Sequence, residues 1–162
     1  MSGEPPPWSL WPADNPAVIA HVTILQGIIT RLANNSAGCK TWCLTLVSAL
    51  LTLAGAAHLP MLVSFALVPV VVFGYLDTMY LAQERAYRRL FASVRQSIRE
   101  GSYTIGQTYE TAAPVEPGSL LAALRSWSIY PVYLGLLLAY AVAARQGWLT
   151  LINVRIPVDR DH

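Results

Sequence analysis

Between Lys40 and Asp77 the chain runs for 36 residues without an Asp, Glu, Lys or Arg. A helix crosses the ~30 Å hydrocarbon layer of a bilayer with about 20 apolar residues, so this one tract has room for two crossings. It is divided at "AAHLP", residues 56–60, where His58 and Pro60 predict a short turn. A second charge-free tract, 19 residues long, separates Arg125 from Arg145. The predicted spans are residues 41–57, 60–76 and 128–144. Composition argues against three buried core helices instead. With 54% hydrophobic and only 12% charged residues in 162, the chain has too little polar sequence to coat them. The N-terminal stretch "MSGEPPPWSLWPADN" lacks the basic region that opens a cleaved signal peptide.

The expected fold is all-α: an integral membrane protein with three transmembrane helices, an N-terminal amphipathic helix and a cytoplasmic extension of the second span. Along the chain this divides into a Pro-rich segment with Trp8 and Trp11 (1–15) and the amphipathic helix (16–38). A transmembrane helical hairpin (39–78), a helix extension and loop (79–119), a third transmembrane helix (120–148) and a tail (149–162) follow. The amphipathic helix is signalled by Asn15 as N-cap, Pro16 at the first helical position, and Val18, Val22, Leu25, Ile29 and Leu32 at three- and four-residue steps. "NNSAG", with Asn35 and Gly38, is expected to end it. Packing against the protein's own helices is preferred over lipid for this stripe. Residues 99–119 read as a loop with one short strand, and the stretch after Trp148 as a tail, where a short strand is the other option but has nothing obvious to pair with.

Basic residues set the orientation. Arg31 and Lys40 precede the first span, and Arg85, Arg88, Arg89, Arg95, Arg99 and Arg125 lie between the second and third, whereas Arg145, Arg155 and Arg160 follow the third. The N-terminus and the 79–119 loop are thus expected in the cytoplasm, with the C-terminus outside.

The segment 60–98 is expected to be one long helix kinked near Pro69. At about 100° per residue, Asp77, Tyr80, Glu84, Arg88, Phe91 and Arg95 fall within about 80° of one another. Leu76, Tyr87, Leu90, Val94 and Ile98 form a neighbouring apolar face. Asp77 stands at the membrane boundary. It suits the inner mouth of a cation path, or an interfacial acid paired with Arg125 or Lys40. Thr45, Ser48 and Thr52, following Thr41, make a hydroxyl stripe on the first span that back-bonds to its helix, joins helices or lines a narrow pore. With Tyr80 and Glu84 these residues are the pore and gate candidates.

The arginines carry three readings: a topological signal with a Glu84–Arg88 pair, attraction to anionic headgroups, or a site for an anionic ligand such as a nucleotide. For the last, the candidates are Arg85, Arg88, Arg89, Arg95, Lys40 and Arg31. Catalytic chemistry finds no support, since no serine has a G-x-S-x-G context. Two cysteines and three scattered histidines do not make a metal site, and no cofactor is implied. Cys39 and Cys43 share a helix face, where a disulfide would be strained. Trp127, Tyr130 and Trp148 bracket the third span as an aromatic belt.

"HVTILQGIITRLANNSAGCKTWCLTLVSALL" (21–51), "LDTMYLAQERAYRRLF" (76–91) and "SWSIYPVYLGLL" (126–137) together resemble a group of small bacterial three-span proteins of anti-phage defence operons. The likeness is to the membrane subunit of Hailong-type systems and, more loosely, to SLATT-like effectors, over residues 16–148. It is carried by His21, Gln26, Arg31, Asn35, Ser36, Lys40 and Trp42, by Asp77, Tyr80, Gln83, Glu84 and Arg85, and by Ser126, Trp127, Ser128 and Tyr133. The resemblance implies a homo-oligomeric inner-membrane channel, gated by a nucleotide or oligonucleotide made by a partner nucleotidyltransferase. Ala37 and Gly38 depart from the bulkier residues expected there. The alternative function is a membrane anchor or scaffold that recruits a soluble partner through residues 78–118.

Overall fold

In a computed structural model of the chain, residues 10–59 and 61–154 are described, with side chains through residue 146. Among the described residues the regular elements are helices: α1 (Pro16–Ala56), α2 (Met61–Phe65), α3 (Leu67–Arg99), a 3-10 turn (Ile105–Tyr109), α4 (Ser119–Leu124) and α5 (Tyr130–Val154). An isolated antiparallel bridge joins Leu10 to Thr104. Two helical stretches, Pro16–Ala56 and Met61–Arg99, are long and apolar enough to cross a membrane. Trp8 and the tail arginines Arg155 and Arg160 lie outside the described residues, as does the Trp148 side chain.

α1 starts where local chemistry says it should. The Asn15 side chain accepts from the Ala17 amide at 2.9 Å, with Pro16 at the first helical position. It does not stop at "NNSAG", which corrects the expected helix end. A mid-helix Gly and two Asn cost about 2 kcal/mol together relative to Ala. That is too little to halt a helix that buries Ser36 within the stretch and Leu32, Cys39 and Cys43 on either side of it. The break comes instead after Ala56, in the predicted turn. There the Leu59 amide reaches the Ala54 carbonyl and the His58 amide reaches Gly55, while His58 adopts φ 54°. This is a Schellman end with histidine in the left-handed position. α3 ends the same way with the expected glycine: Ser102 bonds back to Ser97, and Gly101 has φ 67°.

The long second helix is interrupted at Ala66, three residues before Pro69. Proline's ring collides with the carbonyl four residues back, here that of Phe65, and its missing N–H is harmless in the first turn of α3. The short strand expected within 99–119 is replaced by the 3-10 turn, and residues 149–154 continue α5 instead of forming a strand.

The chain divides into two units, residues 1–36 with 79–123, and 37–78 with 124–162. In the first unit Val18, Leu25, Val94 and Tyr103 form a buried cluster, with Trp11, Val22, Tyr87, Leu90, Phe91 and Ile98 packed on it. The apolar stripe of early α1 and the apolar face of late α3 therefore meet, although Leu76 stays outside it, exposed. In the second unit the interior consists of Cys39, Cys43 and Val47 of α1, Val63, Ala66 and Val70 of α2 and α3, and Ile129, Tyr133 and Leu136 from the region of α5. Its outer faces carry Trp42, Leu46, Leu53, Val68, Val71, Leu134 and Leu138, all exposed.

Candidate functional site

The second unit buries a charge. The Asp77 side chain is fully inaccessible, and Lys40 Nζ lies 2.9 Å from its Oδ1 and 2.7 Å from its Oδ2. Lys40 keeps 21% of its side chain accessible, so its stem crosses apolar surroundings while its ammonium is held on both carboxylate oxygens. The Tyr133 hydroxyl is placed to donate to the Phe73 carbonyl, at 3.1 Å, or to the Asp77 carboxylate. Tyr133 approaches so closely because residue 74 is glycine: a Cβ there would sit 3.4 Å from the tyrosine ring. Beside this cluster are two buried free thiols, Cys39 and Cys43, and Cys43 Sγ donates weakly to the Pro69 carbonyl at 3.6 Å.

Of the two arrangements foreseen for Asp77, this is the paired one, with Lys40 as partner. An open carboxylate mouth is not what a single copy presents. Lys40, one of the anion-ligand candidates, has its ammonium on Asp77. The hydroxyl stripe lies elsewhere on α1. Thr45 and Thr52 are exposed and donate to the carbonyls of Thr41 and Ser48, four residues back, and Ser48 is exposed on the same side. Such back-bonded hydroxyls are satisfied without any partner helix.

In the first unit the stripe beyond Asp77 separates by depth. Tyr80 is half-buried, and Glu84 is buried, accepting from Arg88 Nε at 2.7 Å across one helical turn. Arg85 donates to the Ala122 carbonyl at 3.1 Å, and Arg89 stands 3.7 Å from Glu116. Arg31 and Arg95 are exposed.

Sequence reasoning missed a second polar cluster in this unit. His21, 2% exposed, has Nδ1 2.6 Å from the Tyr103 hydroxyl and Nε2 3.2 Å from the Glu110 carbonyl. The neutral tautomer with hydrogen on Nε2 satisfies both contacts, donating to Glu110 and accepting from Tyr103. Tyr103 also takes the Trp11 amide on its carbonyl, at 3.0 Å. One aromatic residue thus ties early α1, the 101–110 loop and the chain entering α1. Among the described residues no group of His, Cys, Asp and Glu is arranged to hold a metal.

Compared with family models, curated proteins and solved structures, the chain matches none.

Proposed function

We propose that the chain is a three-span membrane protein, with α5 as the third span, whose copies assemble into a gated, cation-conducting effector of the bacterial inner membrane. One observation carries this: the buried Lys40–Asp77 pair, whose members flank a tract of 36 residues without any other charge. A plain anchor needs no such pair, since apolar residues of similar volume are often as stable or more so by about 1–4 kcal/mol. Ionisable groups kept at membrane depth mark pathways and switches. In this reading the pair is the closed state. Lys40 masks the carboxylate, and opening withdraws the ammonium so that Asp77 from several copies attracts cations at the mouth. Tyr80 and Glu84 follow on the same helix, and the exposed hydroxyls of Thr45, Ser48 and Thr52 are available to a lumen or a neighbouring copy. The resemblance to defence-operon channels supplies the controlling signal, a nucleotide or oligonucleotide, and the outward guanidinium groups of Arg31, Arg88 and Arg95 are its receptors, with Arg85 and Arg89 beside them.

The test is potassium flux from liposomes holding the purified chain. Lys40→Gln is expected to raise basal flux by unmasking Asp77, and Asp77→Asn to lower cation selectivity. Absence of flux from the native chain and from Lys40→Gln, with and without added oligonucleotides, would remove the channel. The second reading, an anchor for a soluble partner, would then stand on the exposed Arg88, Arg95 and Tyr109 of residues 78–118.

A further inference from the structure

α4 is built the wrong way round for a helix in water. Its leucines, Leu120, Leu121 and Leu124, are exposed, Leu121 by 63%, and the residue it buries is Ala123. Six residues do not hold a helix on their own. α4 is held from α3 by Arg85 on the Ala122 carbonyl, while Arg89 faces Glu116 just ahead of it. The outcome is a patch on which leucine side chains and guanidinium groups stand side by side. Leucine beside arginine is the composition of a surface at the headgroup boundary, where leucine enters the acyl layer and arginine meets phosphate.

Charge decides the occupant: Arg85 and Arg89 bring two positive groups to this element, and an anionic leaflet supplies the opposite sign.

We infer that α4, with Arg85 and Arg89, is an interfacial foot that docks on the anionic phospholipid headgroups of the leaflet next to it. This rests on the reading that the long helices cross a bilayer, and it goes beyond that reading by assigning a lipid-binding surface outside the spans.

The experiment places a nitroxide at position 121 (Leu121→Cys) in the full chain. The protein is reconstituted in nanodiscs of phosphatidylcholine alone or with phosphatidylglycerol, and collision with oxygen and with a water-soluble nickel chelate is measured. The unsubstituted chain, whose two cysteines are buried, corrects for background. Val72→Cys, in the exposed apolar stretch of α3, reports on the span itself. In phosphatidylglycerol discs the label at 121 is expected to be oxygen-accessible and nickel-protected. Arg85→Gln with Arg89→Gln is expected to lower the docked-to-undocked ratio about 30-fold, as two basic residues near an anionic surface imply. Lysine at both positions should restore docking, because lysine and glutamine can both donate to the Ala122 carbonyl and only lysine keeps the charge. A label at 121 in water while that at 72 is in lipid overturns the foot alone. Both labels in water overturn the membrane reading and the foot with it. Protection of 121 from both quenchers means that a second copy covers α4, and indifference to phosphatidylglycerol removes the headgroup contact; each overturns the proposal.

Discussion

The two units solve the problem of polar groups in opposite ways. Residues 16–36 with 79–110 bury aromatics and aliphatics around the His21–Tyr103 contact and leave Arg88 and Arg95 outside. Residues 37–78 put Lys40–Asp77 inside, beside Val47, Val63 and Val70, and leave Trp42, Leu46, Leu53, Val68 and Val71 outside. The first pattern is what water selects, since apolar area is removed from it at about 25 cal/mol per Å². The second is what hydrocarbon permits: apolar side chains lose nothing by facing it, and charges must find each other. One continuous helix, α1, contributes to both patterns, so the change is made by which residues occupy its faces and not by a change of secondary structure.

Four experiments break or sharpen the contrast. The largest effect is expected from Asp77→Ala, which strands the Lys40 ammonium and should cost about 3–5 kcal/mol in unfolding of the detergent-solubilised protein. Pairing it with Lys40→Met should recover most of that loss; equal damage from single and double variants would mean that charge compensation is not what the pair provides. Next, Leu25→Ala in the first unit should cost about 2–5 kcal/mol. The same change at Leu46, 41% exposed in the second unit, should cost under about 0.5 kcal/mol in detergent. Matching losses at the two positions would show that Leu46 is covered, and the contrast would fail. Tyr103→Phe deletes the hydroxyl that His21 Nδ1 accepts from, for an expected loss of about 1–3 kcal/mol by thermal unfolding followed by circular dichroism. Smallest of the four, Arg88→Gln should cost about 1 kcal/mol, because the guanidinium is largely in solvent although its partner Glu84 is buried, and high salt should shrink that difference.

What the sequence makes legible is what local spacing and charge parity carry. The turn at 56–60, the Asn15 cap, the Glu84–Arg88 pair and the interruption ahead of Pro69 each depend on residues within a turn or two of one another. Lys40 is nameable as a partner of Asp77 because few charges flank the long apolar tract. Other features have no local signature. His21 and Tyr103 are 82 residues apart, and no periodicity links a histidine on one helix to a tyrosine in a loop. The Arg85 contact with the Ala122 carbonyl is equally invisible, since a backbone acceptor leaves no trace in residue type. The expected helix end at Asn35 and Gly38 went wrong for another reason: weak local breakers lose to a helix whose burial continues on both sides of them.

Gly74 has a consequence for how the chain can drift. With the Tyr133 ring against it, alanine at 74 would just touch the ring, and a branched side chain would displace it from Phe73 and Asp77. Positions 74 and 133 thus share one fixed volume. In divergent copies of this chain they should change together, a larger residue at 74 accompanying a smaller one at 133, and a copy that makes that exchange will also have given up the tyrosine hydroxyl beside the buried carboxylate.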